Sequence, residues 1–247
     1  MNYFISGSSG FIGKAIERYL LLKGENVYSI PRERSIAELT DLFNVVNPDY
    51  IIHLAAYGGH YHQTDFNKIV KANITGTYNL LEAVKSFDYK KFYNFTTSSV
   101  LLKDQTYYSI TKFCGEQLSK MYDNVVNIRP YSVYGPGEAS HKFIPTVIRC
   151  LNSGEEMTLD ENATHSWIYI DDFVTVMFLG ETEIGGTIIT NKEIVATLEN
   201  ISGKKLNYKL GKVRSYDTND WVAPEGVWYR FTNYYDGLKQ TYEYYTK

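Results

Sequence analysis

The spacing of apolar side chains predicts a strand, a helix and a second strand at the start of the chain. Residues 3–6 form a short strand-like run, and residues 26–30 form another. Between them, apolar side chains recur at the spacing of one helix face, at Ala15, Ile16, Tyr19 and Leu20. Lys23 and Gly24 then end this helix, because glycine is common just past a helix C-terminus.

The same alternation continues through the middle of the chain. Residues 50–56 predict a buried parallel strand, and residues 91–97 predict another strand. Helices are predicted over residues 67–87 and 106–121, whereas the C-terminal elements have weaker patterns. Strands that alternate with helices indicate an α/β fold with a parallel sheet.

Three glycines separate the first strand from the first helix. Gly7 permits a tight turn, Gly10 allows the backbone to approach a pyrophosphate, and Gly13 lets the helix pack closely on the strand. A helix N-terminus also offers free N–H groups to an anion. We therefore predict a Rossmann-type doubly wound sheet, with a cofactor pyrophosphate contacted by Gly7, Ser9, Gly10, Phe11, Ile12 and Gly13. A tight turn that binds no ligand is the alternative.

The end of the second strand bears on the choice of dinucleotide. NAD sites usually place an acidic residue there, but this chain continues with Pro31 and Arg32. A guanidinium pairs well with a 2′-phosphate, so Arg32 favours NADP(H). Glu33 keeps NAD(H) open, and Arg32 as a solvated loop charge is the alternative interpretation.

A tyrosine and a lysine four residues apart carry the candidate chemistry. Tyr108 and Lys112 lie on one helix face, shortly after the strand end that contains Thr97. A nearby ammonium and a cationic nicotinamide both favour the phenolate, so we expect Tyr108 to exchange a proton with a sugar hydroxyl or ketone near neutral pH. Thr97 would orient the same oxygen. The neighbouring Tyr107 has Thr111, not a lysine, at the fourth position.

Composition narrows the class of protein. A net charge of −3 and the lack of a basic stripe argue against nucleic-acid binding. The two cysteines form no spaced pair with each other or with histidines, so we expect free thiols, no metal site and a reducing compartment. The N-terminus has no basic segment and a short apolar run, and no stretch approaches the ~20 apolar residues of a membrane span. We therefore expect a cytoplasmic protein.

Motifs over nearly the whole chain resemble the extended short-chain dehydrogenase/reductase family. They are Gly7-x-x-Gly10-Phe11-Ile12-Gly13, His53-Leu54-Ala55-Ala56, Asn73-Ile74-Thr75-Gly76-Thr77, Thr97-Ser98-Ser99-Val100, Tyr108-x-x-x-Lys112, Arg129-Pro130-x-Ser132-Val133-Tyr134-Gly135-Pro136 and Trp167-Ile168-Tyr169-Ile170-Asp171-Asp172. The resemblance implies an NAD(P)-dependent enzyme that acts on a nucleotide-activated sugar. It also implies a homodimer formed by the helices over residues 67–87 and 106–121.

The resemblance assigns roles to individual residues. Thr97, Tyr108 and Lys112 correspond to the catalytic residues, and Leu54, Ala55, Ala56 and Pro130 join the cofactor site. The substrate site would comprise Thr97, Ser98, Ser132, Lys142, Phe143, His165, Trp167, Arg214 and Asp217. Ser132 and His165 depart from the family, which usually has Asn and Arg there.

Two domains are expected. Residues 1–131, together with about 165–190, would bind the cofactor, and residues 132–164 and 191–247 would form a small nucleotide-sugar-binding lobe.

Several reactions are compatible with these residues. Ser98 and Ser99 stand where the family's dehydratases carry Asp-Glu, and no cysteine lies near Thr97 for double epimerisation. Reduction of a 4-keto sugar by NADPH is favoured, with Tyr108 as the general acid. The alternatives are 4-epimerisation with a retained NAD(P) and a cofactor-binding regulator without turnover.

Overall fold

A computed structural model describes residues 1–212, 222–223 and 232–247. The chain forms two compact units, Met1–Arg129 and Pro130–Lys247. The first unit alternates strands and helices as the sequence predicts. The predicted assignment of residues 165–190 to the cofactor domain stays a prediction.

Five parallel strands form the sheet of the first unit. They are β1 (Asn2–Ser6), β2 (Asn26–Ile30), β3 (Tyr50–His53), β4 (Lys91–Phe95) and β5 (Val125–Pro130). Their spatial order is β2-β1-β3-β4-β5. The chain therefore moves outward from β1 to β2, then crosses to the other side at β3. In such sheets, ligands bind beyond the carboxyl ends of the strands where the order reverses, which is between β1 and β3.

The helices of this unit connect successive strands. They are α1 (Phe11–Leu22), α2 (Ile36–Val45), α3 (Phe66–Val70), α4 (Gly76–Val84) and α5 (Tyr107–Ser119). A π-helical turn, Lys71–Thr75, joins α3 to α4, so the long helix predicted over residues 67–87 is interrupted. A 3₁₀ turn, Ser98–Leu101, follows β4.

One buried cluster of the first unit lies on one face of this sheet. Its fully buried members come from strands and from the helices that cover them, and they include Phe4, Phe43, Ile51, Leu81 and Phe92. The ring of Phe43 meets that of Phe4 edge-on, with 5.2 Å between centroids. This packing holds the strand ends in fixed positions.

The second unit contains two small sheets and four helices among its described residues. Its strands are β6 (Ser132–Tyr134), β7 (Met157–Leu159), β8 (Thr164–Tyr169), β9 (Glu183–Ile184), β10 (Thr187–Thr190) and β11 (Tyr208–Leu210). One sheet has the order β10-β8-β6, in which β8 is antiparallel to β10 and parallel to β6. In the other, β7 and β11 are parallel. The helices are α6 (Phe143–Ser153), α7 (Ile170–Phe178), α8 (Asn191–Ser202) and α9 (Tyr234–Tyr245).

The predicted α/β fold, with a Rossmann-type sheet and a smaller C-terminal part, is confirmed. Across the described parts of the chain, every helix is too short or too polar to span a bilayer. The same residues contain no cluster of three or more potential metal ligands.

Candidate active site

The glycine-rich turn follows β1 directly. Gly7 has a φ of +78°, and a Cβ added there would lie 2.8 Å from the backbone nitrogen of Ala55. The Gly10 N–H donates to the Gly7 carbonyl at 3.0 Å, which closes the turn. Only glycine satisfies both the backbone angle and the close approach at position 7.

Helix α1 begins against this turn. A Cβ on Gly13 would lie 2.3 Å from the carbonyl oxygen of Gly7 and 2.8 Å from Cα of Ser8. No side chain caps the helix N-terminus at Gly10, and the first turn of α1 contains Phe11 and Ile12. The backbone N–H groups of that turn therefore remain suited to bind an anion, which fits the pyrophosphate of a dinucleotide.

The residues after β3 lie beside the same turn. The Leu54 N–H donates to the Ser6 carbonyl at 3.0 Å, and the Ala55 N–H donates to Ser6 Oγ at 3.3 Å. Gly7, Leu54 and Ala55 are thereby brought together, as the sequence predicts for the cofactor site. Ala56 comes next in the chain and is exposed.

His53 has a structural role at this strand end. Its Nδ1 lies 2.6 Å from Ser6 Oγ, and its Nε2 lies 3.0 Å from Thr77 Oγ1. Burial lowers the pKa of His53 to about 3, with a smaller contribution from the charge of Lys112. The imidazole is therefore neutral, as expected for a hydrogen-bonded core histidine.

The end of β2 carries three neighbouring charges with different surroundings. Glu33 accepts a hydrogen bond from Lys71 at 2.8 Å, and Arg34 pairs with Glu38 at 2.7 Å. Arg32 is exposed. Ser29 Oγ lies 2.8 Å from Ser8 Oγ, so the end of β2 is adjacent to the glycine-rich turn. Of these three residues, Arg32 is the one that forms no salt bridge with another described residue.

Thr97 lies beside the Tyr108 phenol, and its own hydroxyl donates to Ser99 Oγ at 3.1 Å. Burial raises the pKa of Tyr108 to about 12, and the nearby Thr97 side chain lowers it by a smaller amount. Tyr108 keeps part of its surface exposed, whereas Thr97 is buried. In the protein alone, the phenol is therefore protonated at neutral pH. Desolvation is the largest effect on this pKa in the protein alone, so the predicted proton exchange near neutral pH, which also depends on a cationic nicotinamide, stays a prediction.

Lys112 is buried on the same helix as Tyr108, one turn later. Burial lowers the pKa of Lys112 to about 8, and the negative charge of Glu116 opposes that effect. The lysine is therefore mostly an ammonium at neutral pH, close to the point at which it would lose its charge.

Close packing fixes α5 in place. A Cβ on Gly115 would lie 2.9 Å from the carbonyl oxygen of Asn73 in the π-helical turn. Asn73 Nδ2 donates to Thr111 Oγ1 at 2.9 Å and to the Tyr57 carbonyl at 2.8 Å. Asn73 thus has a structural role as a hydrogen-bond donor between these segments.

Sequence reasoning missed two residues next to this group. A Cβ on Gly59 would lie 3.5 Å from the ring of Tyr108, so the loop after β3 borders the phenol. Glu116 is buried and accepts hydrogen bonds from Thr96 and Arg129. The Gly58–Gly59 pair and the helical spacing from Lys112 to Glu116 are the signals that could have identified them.

Four of the predicted substrate residues form a cluster in the second unit. Ser132 Oγ lies 3.3 Å from His165 Nδ1, and the His165 ring lies 5.3 Å from that of Trp167. The Phe143 ring lies 6.0 Å from Trp167. The indole N–H of Trp167 is buried and has no hydrogen-bond partner among the described residues.

The remaining predicted residues are distributed as follows. Lys142 immediately precedes α6, and Pro130 is the last residue of β5. Ser98 is buried at the start of the 3₁₀ turn, and Ser9 is exposed in the glycine-rich turn. Arg214 and Asp217 lie outside the described residues.

Curated relatives and solved structures are similar to this chain. CDP-abequose synthase of Yersinia pseudotuberculosis is 26% identical, over 100% of this chain and 98% of that protein. The enzyme of the same name from Salmonella typhimurium is 29% identical over 86% and 85%. UDP-glucuronic acid 4-epimerase from Bacillus cereus, solved with UDP-glucuronic acid and NAD, has a TM-score of 0.85 at 24% identity and covers 100% of this chain and 99% of its own.

A family model confirms the resemblance seen in the motifs. It matches residues 3–183, which is well over half of the chain. The protein therefore belongs to the NAD dependent epimerase/dehydratase family.

Proposed function

We propose that this protein uses NADPH to reduce the 4-keto group of a nucleotide-linked sugar, with Tyr108 as the general acid. The observation that carries the proposal is the Tyr108 phenol, which lies beside Thr97 and Gly59 and whose pKa burial raises to about 12. A phenol with a raised pKa keeps its proton, and the reduction of a ketone needs a proton donor.

Each residue of the site has a task in this reaction. A dinucleotide held by the glycine-rich turn would supply a hydride for the carbonyl carbon. Tyr108 donates its proton to the carbonyl oxygen, so the C=O bond becomes a C–OH bond. Thr97, which lies beside the phenol, would orient the reacting oxygen through its hydroxyl. The Lys112 ammonium stabilises the negative charge left on the phenol oxygen as the proton departs.

The cofactor residues are proposed from the packing around the glycine-rich turn. Gly7, Gly10, Gly13, Leu54 and Ala55 surround the site expected for the pyrophosphate. Ser9, Phe11, Ile12, Ala56 and Pro130 complete the proposed set. Arg32 would pair with a 2′-phosphate, because Glu33 and Arg34 already have partners. NADPH is therefore the proposed reductant.

The aromatic cluster of the second unit is proposed to bind the nucleotide part of the substrate. The Trp167 indole N–H is a buried donor that needs an acceptor, such as a phosphate or hydroxyl oxygen. Ser132, Phe143 and His165 lie beside Trp167, and Lys142 precedes Phe143. Ser98, Arg214 and Asp217 are the other proposed contacts. The relatives named CDP-abequose synthase make a CDP-linked 4-keto sugar the first substrate to test.

The experiment compares two adjacent tyrosines. Tyr108→Phe removes the proton donor and is expected to lower kcat by about 10²–10⁴-fold, the usual range for general acid catalysis. Tyr107→Phe is the matched control, because Tyr107 is exposed and its ring packs against Phe66. The assay follows NADPH consumption with CDP-, UDP- and dTDP-linked 4-keto sugars. Unchanged turnover in Tyr108→Phe would contradict the proposal.

A second candidate, 4-epimerisation with a retained cofactor, is favoured by the similarity to the UDP-glucuronic acid 4-epimerase solved with NAD. The same three residues would serve both directions of hydride transfer. Mass spectrometry of the denatured, purified protein distinguishes the candidates. Co-purified NAD(P)⁺ supports the epimerase, whereas an empty protein that consumes NADPH supports the reductase. A regulator without turnover would show neither activity.

A homodimer is also proposed, through the exposed apolar side chains of α4 and α5. Tyr78, Ile110 and Phe113 are each more than two-fifths exposed. Apolar side chains grouped on neighbouring helices are typical of a surface that a second copy covers.

A further inference from the structure

Glu116 is a carboxylate in an unusually buried position. It lies on α5 one turn after Lys112 and is 5% exposed. Burying a charge is costly unless partners compensate for the lost hydration. A buried carboxylate so close to the proposed catalytic lysine therefore needs an explanation.

The partners of Glu116 come from two neighbouring strands. Thr96 Oγ1 donates to its carboxylate at 3.0 Å, and Arg129 Nη2 donates to both oxygens at 3.1 and 3.0 Å. Thr96 follows β4 directly and precedes Thr97 in the chain. The carboxylate thus fastens α5, which carries Tyr108, to the strand end that carries Thr97.

Glu116 also acts on Lys112 through its charge. Lys112 is 4% exposed, so the loss of hydration disfavours its charged form. The other groups around the pair are His53, which is neutral, and Arg129 and Lys120, which both lie against Glu116. Glu116 is therefore the group of opposite charge that supports the Lys112 ammonium among the described residues.

We infer that Glu116 is a positioning residue: it aligns the strand end of Thr97 with the helix of Tyr108 and keeps Lys112 charged. The expected effect of Glu116 on turnover rests on the proposed function. The effect of its charge on the Lys112 pKa involves only residues of this chain and can be measured in cofactor-free protein.

The first test is an NMR titration of cofactor-free protein labelled with ¹³C at lysine Cε. The Lys112 signal is assigned by its loss in Lys112→Met. Because the carboxylate raises the pKa of Lys112, Glu116→Gln is expected to lower that pKa by about one unit, the lower end of the effect of a close opposite charge. An unchanged Lys112 pKa in this variant would overturn the inference.

Two further variants separate charge from alignment. Thr96→Val removes one hydrogen bond and keeps the carboxylate, so the Lys112 pKa should stay at its wild-type value. Glu116→Asp retains a carboxylate on this helix face and should give a Lys112 pKa between those of wild type and Glu116→Gln. Circular dichroism checks that each variant is folded, and Glu116→Asp provides the comparison if Glu116→Gln is not.

The second test follows turnover against pH. In Glu116→Gln, the alkaline fall in kcat should move to lower pH by the same amount as the Lys112 pKa. Thr96→Val should lower kcat without changing the pH at which kcat falls on the alkaline side. A shifted Lys112 pKa with an unmoved pH profile would contradict the role in turnover. Wild-type protein that turns over no nucleotide-linked keto sugar would instead refute the proposed function, while the titration still reports on Glu116.

Discussion

Substitution of Gly13 tests the packing on which the proposed cofactor site depends. In Gly13→Ala, the new Cβ would lie 2.3 Å from the Gly7 carbonyl oxygen and 2.9 Å from that of Ser8. These are backbone atoms, so no side chain can rotate away to relieve the contact. Either α1 or the turn must move by about 1 Å to restore an ordinary contact distance.

Two opposing effects set the size of the change. Overpacking in a close-packed interior costs about 1–3 kcal/mol and occasionally more. Alanine in place of glycine within a helix gains about 1 kcal/mol of helix propensity. Because the contact is much closer than any normal Cβ contact, we expect the upper end of the cost and a net destabilisation of about 2 kcal/mol.

Gly76→Ala is the matched control. Gly76 is the first residue of α4 and has helical backbone angles, and its added Cβ would meet the Lys71 carbonyl at an ordinary 3.5 Å. This variant should be more stable than wild type by about 0.5–1 kcal/mol.

Urea unfolding followed by circular dichroism measures the stability of both variants, and fluorescence titration measures NADPH affinity. Gly13→Ala should lose stability and bind NADPH at least tenfold more weakly, because the displaced turn no longer approaches the pyrophosphate. A Gly13→Ala protein that is as stable as wild type and binds NADPH equally well would refute the reasoning.

Two further predictions concern exposed residues. Arg32→Ala should weaken NADPH binding by about tenfold, since hydrogen bonds to a charged group contribute about 1.5–3 kcal/mol, and should change NADH binding less than twofold. Arg34→Ala is its control because Arg34 pairs with Glu38, and equal effects of Arg32→Ala on both cofactors would exclude a 2′-phosphate contact. Phe113→Glu should convert the proposed dimer into a monomer in light scattering at micromolar concentration, whereas Leu22→Glu, at an exposed position on α1, should not. A monomeric wild-type protein would remove the dimer proposal.

The start of the fold is readable from sequence because its signals are local. The strand, the three glycines and the helix follow one another within Asn2–Leu22, and each glycine's role depends on neighbours a few residues away. The spacing of Tyr108 and Lys112 is local in the same sense. Such patterns are visible without knowing which distant segments meet.

Contacts between distant segments are not visible in this way. Gly59 and Tyr108 are far apart in the chain, yet the backbone of one borders the ring of the other. The π-helical turn at Lys71–Thr75 interrupts a pattern that periodicity reads as one helix. The division of residues 165–190 between the two domains also depends on tertiary packing, and the predicted assignment stays a prediction.

The Tyr108 pKa shows what residue types and their spacing leave out of a prediction. An ammonium four residues away, together with a cationic nicotinamide, suggests a phenol that exchanges a proton near neutral pH. In the protein alone, burial raises the pKa of Tyr108 to about 12 and lowers that of Lys112 to about 8. Desolvation disfavours the charged form of both groups, and sequence spacing carries no information on how deeply either one is buried.

These opposite shifts bear on the direction of the reaction. Below a pH of about 8, both Tyr108 and Lys112 hold their protons, which is the state that a ketone reduction requires. Oxidation of a sugar hydroxyl requires the phenolate, and the positive charge of an oxidised nicotinamide would favour it. A reduced nicotinamide is neutral and leaves Tyr108 protonated. The pKa values of Tyr108 and Lys112 in the protein alone therefore favour proton donation by Tyr108. An epimerase with this site would need a retained oxidised cofactor, whose positive charge lowers the Tyr108 pKa so that the phenolate can act as a base.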